Sequence, residues 1–449
     1  MADVSTQPEQ FPAPADPAAP GPLPPRRIAV LCVLAAAVGL LGGLGASIFV
    51  WVEHELQVLL WADLPEALGQ AEASGWLAVL ILCTGALLVV LAHRLPGHAG
   101  HSPLDGFGLD IGPREVGSVL LAALASLSFG AVLGPEAPLM AVGTALGAMA
   151  FRDPANPVRM VMMLAGAMAA VGAIFGNPLI TAILLLEFAA VAAAAGGPGA
   201  QLATPPVLMA ALSALASGYL LQVGLESWSG LGEAQLGLPG LPPYAEVHLI
   251  DLAVAVPLAI VVALVTLLAR VVAEGVDRYA GRSPLPTLLV AAVVIALSAV
   301  AVRAITGGSL DLVLFSGQAA MPDYLGLTSV GTILVILLGK FVAYAASLGS
   351  GFRGGPIFPA VALGALLATA AALLVDGASV SALAATAIAA ATAAMMRMPF
   401  LATLLAVTLT YPAGGATTVT AILGTVVGLL TRLAAEQRLP RLAPRVHAD

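Results

Sequence analysis

Long apolar runs alternate with short polar connections along the chain, and this pattern predicts membrane-spanning helices. The first two runs cover residues 28–52 and about 76–92. About 20 apolar residues at about 1.5 Å each cross the hydrocarbon of a bilayer, so both are long enough or nearly so. Further runs lie near 117–133, 138–151, 158–174, 178–196, 205–222, 249–273, 285–305, 329–348, 359–375, 380–396, 399–411 and 417–432. Because several are too short for a full crossing, the pattern predicts an all-α polytopic membrane protein with broken or re-entrant helices.

The interruptions recur in the two halves of the chain at a constant offset. Gly-Pro-x-x-Pro occurs at residues 134–138 and again 221 residues later at 355–359. The aligned pairs are Gly130 with Gly351, Gly134 with Gly355, Pro135 with Pro356, Pro138 with Pro359, Ala141 with Ala362, Gly143 with Gly364 and, further on, Pro178 with Pro399. Two sites in register predict an internal repeat, a feature of transporter folds with a site in the middle of the membrane.

The repeat divides the chain into five predicted segments. They are a disordered Pro/Ala-rich tail over 1–25, a first membrane repeat over 26–222, a connection over 223–248, a second membrane repeat over 249–432 and a short basic tail over 433–449. Arg26 and Arg27 precede the first span, His93 and Arg94 follow the second, and Arg432 begins the basic end of the chain. This distribution of basic residues predicts that both termini are cytoplasmic.

Composition and charge exclude several other classes of protein. Charged residues make up 9% of the chain and apolar residues 60%, whereas soluble domains have roughly 25% charged residues. A net charge of -8 without a basic face argues against a nucleic-acid binder. Cys32 and Cys83 lie in apolar runs, which argues against a disulfide framework or a thiolate metal site.

Each Gly-Pro-x-x-Pro loop is followed by an apolar run, and Pro is favoured in the first turn of a helix, so each loop is predicted to start a helix inside the membrane. A helix start exposes N–H groups without intrahelical partners and the positive end of the helix dipole. If the loops at Gly134 and Gly355 converge, the two starts form an anion site without a fixed cationic side chain.

Glu136 lies in the first loop and is the main candidate for a functional side chain. A carboxylate inside the membrane is costly, which makes it a functional candidate by default. The hypothesis is a tethered carboxylate that competes with the anion and then swings away or takes up a proton to let it pass. The alternative is an interfacial Glu that caps a helix start.

A third loop, residues 95–103, follows the second span. The Gly100 and His101 amides, or Ser102, can face an anion there. His98 and His101 also suggest a metal site, but only Asp105 accompanies them, so two solvated histidines are the alternative that we favour. No metal site and no cofactor are predicted, and the absence of HExxH, of a Ser/His/Asp set and of clustered carboxylates argues against an enzyme.

Four other polar side chains are predicted to be buried within apolar surroundings: Glu187, Lys340, Arg353 and Arg397. For Glu187 we expect a structural partner, either an Arg or a backbone amide. Arg397 is expected to be structural as well.

Together these motifs resemble the CLC family of chloride channels and chloride/proton exchangers. Residues 126–138 resemble the family's GREGP region, 354–364 its GGIFAP region, 175–187 its FNAPLAG helix with a terminal Glu, 397–399 its RAP turn and, weakly, 100–103 its GSGIP loop. The similarity extends over about residues 28–432.

The resemblance implies a homodimer with one pore in each subunit, built from two inverted halves with tilted or re-entrant helices. It implies that Glu136 is similar to the gating glutamate and that the Ile357 and Phe358 amides line the anion path. The loop at Gly100, His101 and Ser102 then supplies an inner contact.

The chain departs from the family pattern at five places. Pro135 replaces the Arg of GREGP, and Pro356 removes an amide that usually faces the anion. Gly100 aligns with the central Ser of GSGIP. Phe188 occupies the place of an acidic proton-relay residue, and no Tyr follows Tyr411 to close an inner gate.

The leading hypothesis is therefore a bacterial-type plasma-membrane protein that transports chloride or a similar small monovalent anion, as a channel or together with protons. The alternative is a repeat-built secondary carrier for another anionic solute that uses the same helix starts. A membrane-embedded enzyme is the third and least supported class.

Overall fold

The computed structural model of the chain describes residues 24–106, 108–109, 111–151, 153, 156–194, 204–225 and 236–439. These residues form sixteen α-helices and, apart from one isolated bridge, no β-structure. The helices are α1 Pro25–Val58, α2 Leu64–Ala67, α3 Gly75–Ala92, α4 Val116–Leu127, α5 Glu136–Met149, α6 Pro157–Phe175, α7 Pro178–Ala194, α8 Pro205–Leu225, α9 Leu249–Ala280, α10 Pro284–Thr306, α11 Met321–Leu325, α12 Val330–Gly349, α13 Ile357–Leu374, α14 Val380–Met396, α15 Pro399–Thr410 and α16 Thr417–Arg438. The predicted all-α class is confirmed.

Within the described part of the chain, nine helical segments are long and apolar enough to cross a membrane. They are α1 with its continuation through α2, α3, α6, α8, α9, α10, α12, α13 and α16. Other helices are shorter, and α4 has only 12 residues because the chain turns at Gly130, where φ is 98°, before α5 begins. The predicted mixture of full crossings and interrupted helices is thus present.

The two halves of the chain pack in the same way. In the first half, α6 packs against α1, α5 and α8, and in the second half α14 packs against their counterparts α9, α13 and α16. The sequence offset of 221 residues places α6 on α14 and the start of α5 on the start of α13. The repeat seen in the loops therefore extends to the packing of whole helices.

Small residues let the helices around the site approach closely. A Cβ on Gly143 of α5 would overlap the carbonyl oxygen of Gly166 on α6, and one on Gly147 would overlap that of Met162. The sequence places these two glycines four residues apart on one helix face, the spacing of small-residue helix contacts. This contact fixes α5, and with it the loop that carries Glu136.

The ends of the described chain differ from the predicted segments. The first helix begins at Pro25, within the predicted tail, and α16 continues to Arg438, past the predicted end of the second repeat at 432. The rest of the predicted amino-terminal tail (1–23), residues 226–235 of the predicted connection and residues 440–449 lie outside the described residues.

Arg432 has a different role from the one expected. The sequence places it at the basic end of the chain, but the side chain is buried and donates hydrogen bonds to the carbonyl oxygens of Ala394 and Met395 at the end of α14. It also pairs with Glu436 at 2.7 Å. Arg432 therefore satisfies helix-end carbonyls that lack intrahelical partners, and its use as an orientation signal was wrong.

Candidate functional site

The two repeated loops meet at Gly134 and Gly355. These residues form an isolated antiparallel bridge, in which the Gly134 amide donates to the Gly355 carbonyl at 2.8 Å and the Gly355 amide donates to the Gly134 carbonyl. A proline follows each glycine, and then α5 begins at Glu136 and α13 at Ile357. The structure thus brings together the two helix starts that the sequence predicts.

Glu136 lies at this junction and is fully buried. Its Oε1 atom accepts a hydrogen bond from the Phe358 amide at 3.2 Å, and the amides of Ile357 and of Glu136 itself also face the carboxyl group. Among the described residues, Oε2 has no hydrogen-bond partner. A side-chain carboxyl group therefore occupies the start of α13, where the exposed amides and the helix dipole favour an anion.

The two bridging glycines leave the space that the carboxyl group fills. A Cβ on either Gly134 or Gly355 would overlap Oε2 of Glu136. Because any larger residue would displace the carboxyl group, glycine at both positions is a requirement of this geometry. Since the carboxyl group is buried, the interfacial cap weighed from the sequence does not describe it.

Pro356 has no amide to offer, but its carbonyl oxygen is engaged. The buried Tyr344 hydroxyl on α12 donates to it at 2.8 Å. This contact holds the turn before α13 while the Ile357 and Phe358 amides remain directed at the carboxyl group. The sequence motifs contain no signal for Tyr344, which lies in an apolar run.

Gly100, His101 and Ser102 line a cavity of about 40 Å³. Arg353, Gly354, Ala137 and Pro138 complete part of its wall. Ala137 and Pro138 directly follow Glu136, so this smaller cavity lies against the same helix start. The structure thus places the third predicted loop beside the junction, although none of its residues hydrogen-bonds Glu136.

A second, larger cavity of about 640 Å³ lies next to Pro135, the residue before Glu136. Its lining includes Glu53, His54 and Asp311, so polar and acidic groups are present in its wall. Because Pro135 borders the larger cavity and Ala137 the smaller one, Glu136 lies between the two. The sequence gave no indication of this larger cavity.

The remaining predicted polar residues hold helix ends and loops. Glu187 accepts hydrogen bonds from the Phe400 and Leu401 amides, at 2.8 and 2.7 Å, at the start of α15. Arg397 ends α14 with φ of 59° and pairs with Glu436 at 3.1 Å.

Lys340 is fully buried and donates to three successive carbonyl oxygens. They are those of Val313 at 3.1 Å, Leu314 at 3.3 Å and Phe315 at 3.4 Å. Leu314 and Phe315 also line the larger cavity, so Lys340 fixes part of its wall.

Comparisons with known proteins agree on one family. The family model described as "Voltage gated chloride channel" matches residues 85–431. The proteins named "Putative ion-transport protein YfeO" from Salmonella typhimurium (strain LT2) and Salmonella paratyphi A are each 26% identical to the chain over 352 residues, which cover 76% of this chain and 80% of theirs.

Solved structures share the fold. A slow cyanobacterial Cl-/H+ antiporter superimposes with a TM-score of 0.74 at 20% identity, covering 92% of this chain and 96% of its own. A CLC-type fluoride/proton antiporter superimposes with a TM-score of 0.64 at 17% identity, covering 92% and 98%. Since the family model also matches far more than half of the residues, this multi-pass membrane protein belongs to the voltage-gated chloride channel (CLC) family of anion transport proteins.

Proposed function

We propose that this protein moves chloride or a similar small monovalent anion along a path past the starts of α5 and α13, with Glu136 as its gate. The observation that supports this most directly is the position of the Glu136 carboxyl group. It rests on the Phe358 amide between two cavities, where a passing anion would bind.

The gate operates by competition for the same amides. With the carboxylate in place, Phe358 and Ile357 are occupied and the two cavities are separated. When Glu136 takes up a proton or swings away, these amides become available to the anion. Since they carry only partial charges, they bind the ion without holding it, which suits rapid passage.

Several further features belong to the same proposal. The protein acts as a transporter and not as an enzyme, as a homodimer in the plasma membrane, with both termini in the cytoplasm. The five segments retain the boundaries predicted from the sequence, with α16 extended. Relatives of this fold include antiporters that couple chloride or fluoride to protons, while Phe188 at the place of the relay acid favours uncoupled movement here.

The decisive test is efflux from liposomes that contain the purified full-length protein. A chloride electrode and a pH electrode follow both ions, and Glu136→Gln is compared with wild type between pH 4.5 and 7.5. We expect wild-type efflux to rise as the pH falls, because protonation releases the carboxyl group. Efflux of Glu136→Gln should already be about tenfold above wild type at pH 7.5 and independent of pH, the equivalent of about 1.4 kcal/mol of lost competition.

The matched control is Glu187→Gln, which neutralises another carboxylate at a helix start and should keep the wild-type pH response. A Glu136→Gln variant with wild-type efflux and pH dependence would refute the gate. Chloride-driven proton movement would identify an exchanger, and efflux at constant external pH a channel. Competition by fluoride, nitrate and small carboxylates separates this proposal from a carrier for another anionic solute.

A further inference from the structure

The smaller cavity contains a cationic side chain that the proposed gate does not use. Arg353 lies in the loop before α13 and lines this cavity together with Gly100, His101 and Ser102. Its Nε atom donates to the carbonyl oxygen of Ala99 at 3.1 Å. Since Ala99 also lines the cavity, the guanidinium group lies at the cavity wall.

His93 holds the other side of the guanidinium group. Its Nδ1 atom lies 2.8 Å from the Val89 carbonyl oxygen, which can only accept, so Nδ1 must carry the hydrogen. In the neutral ring, Nε2 then has a free lone pair and accepts from Nη2 of Arg353 at 3.1 Å. The ring therefore orients the guanidinium group without neutralising it.

The charge of Arg353 is only partly balanced by its surroundings. Among the described residues, its side-chain hydrogen bonds go to two neutral acceptors, Ala99 and His93. The carboxylates of Asp105 and Asp277 act on it electrostatically. A guanidinium group has five N–H donors, so further donors remain beyond those two bonds. The cavity has room for a small ion, since about 10–15 Å³ on this measure holds one water.

We propose that Arg353 binds the transported anion in the smaller cavity and that His93 positions it for this role. The proposal rests on the proposed transport function and adds a residue that sets the affinity of the path. It explains how a loop with Gly100 in place of a serine can still hold an anion, because the guanidinium group supplies the missing donor. Asp105 and Asp277 reduce the net attraction, so that the ion can leave.

The test compares Arg353→Gln and Arg353→Lys with wild type. Chloride binding to the purified full-length protein is measured by calorimetry, and efflux gives the half-saturating chloride concentration. We expect Arg353→Gln to raise both the dissociation constant and the half-saturating concentration about tenfold or more, as for a lost charge-assisted hydrogen bond. Arg353→Lys should restore part of the affinity, because it keeps the charge without the planar donors.

The matched control is Arg303→Gln. Arg303 also donates to a backbone carbonyl, that of Ala73 at 2.7 Å, but it lines neither cavity. Its replacement should leave the half-saturating concentration unchanged.

The outcomes separate this inference from the transport function. No anion efflux by wild type would refute the transport function itself. Wild-type efflux combined with unchanged chloride affinity in Arg353→Gln would refute only the role of Arg353. If Arg353→Gln is not monodisperse, Arg353→Lys decides: loss of the planar donors must change the affinity ratio of nitrate to chloride, and an unchanged ratio with unchanged affinity overturns the proposal.

Discussion

Glu136 and Glu187 are two carboxylates of the first half that each face a helix start in the second half. Both oxygens of Glu187 accept a backbone amide, at 2.8 and 2.7 Å. Glu136 has one such hydrogen bond at the longer distance of 3.2 Å, and its Oε2 atom lacks a partner among the described residues. The two sites use the same chemistry but differ in how firmly the carboxyl group is held.

This difference shows what separates a structural cap from a movable group. Glu187 lines neither cavity and has both acceptors satisfied, so any movement would break two bonds and gain nothing. Glu136 lies between two cavities and leaves a buried oxygen unsatisfied, which is costly. Protonation or displacement of Glu136 therefore relieves a cost, whereas displacement of Glu187 creates one.

The largest expected effect comes from Gly355→Ala. The added methyl group would overlap Oε2 of Glu136, so the carboxyl group must leave the α13 amides. We expect efflux at pH 7.5 to rise about tenfold, as in Glu136→Gln. The double variant should show no further increase, since both changes remove the same interaction.

Gly275→Ala is the control for this test, because its methyl group would contact nothing within 4 Å. It should behave as wild type. Additive effects in the double variant, or a wild-type pH response in Gly355→Ala, would show that the carboxyl group does not block the path from this position.

Glu187→Ala should show the opposite behaviour, with a loss of stability and no change in gating. Removing the cap of α15 should lower the free energy of unfolding by about 1–2 kcal/mol. Thermal unfolding in detergent measures this change, and efflux per folded protein should keep its wild-type pH dependence. Efflux of Glu187→Ala that no longer responds to pH would mean that the two carboxylates do not differ as their contacts indicate.

The smallest effect concerns a second pH-sensitive group. Burial lowers the pKa of His93, and nearby Arg353 and His98 lower it further against the raising effect of the Val89 carbonyl. The ring is thus neutral at pH 7 and gains a proton only below its ordinary range, when Nε2 can no longer accept from Arg353. The added positive charge should then lower the half-saturating chloride concentration two- to threefold, roughly 0.5 kcal/mol for a partly exposed charge.

This measurement needs the Glu136→Gln background, which removes the larger titration. His93→Gln in that background should abolish the acid-side change, while His98, Asp105 and Asp277 remain in both proteins. An acid-side change that persists in His93→Gln would assign it to one of those groups and contradict the role of His93.

The sequence was sufficient to predict the helix starts, and the reason is local. Proline and glycine restrict the backbone wherever they occur, so Pro135 and Pro356 mark the starts of α5 and α13, and the offset of 221 doubles the signal. Glu136 is recognisable because it is an isolated acid between apolar runs. These features depend on neighbouring residues only.

The missing parts are contacts between distant segments. Tyr344 bonds the Pro356 carbonyl, His93 bonds Arg353, and Arg432 bonds the end of α14. Hydrophobic periodicity indicates which face of a helix is buried but not which carbonyl a polar side chain will reach. For the same reason the sequence indicated an amide or an Arg as the partner of Glu187, but could not identify α15.

The bridge between Gly134 and Gly355 also constrains how the protein is made. Gly355 is synthesised 221 residues after Gly134, so the first loop must enter the bilayer before its partner exists. Until α13 arrives, the polar backbone of that loop has no bridge to satisfy it, which is unfavourable in hydrocarbon. Assembly of the junction is therefore a late step of biogenesis, and a chain that terminates before α13 contains no complete route through which an ion can leak.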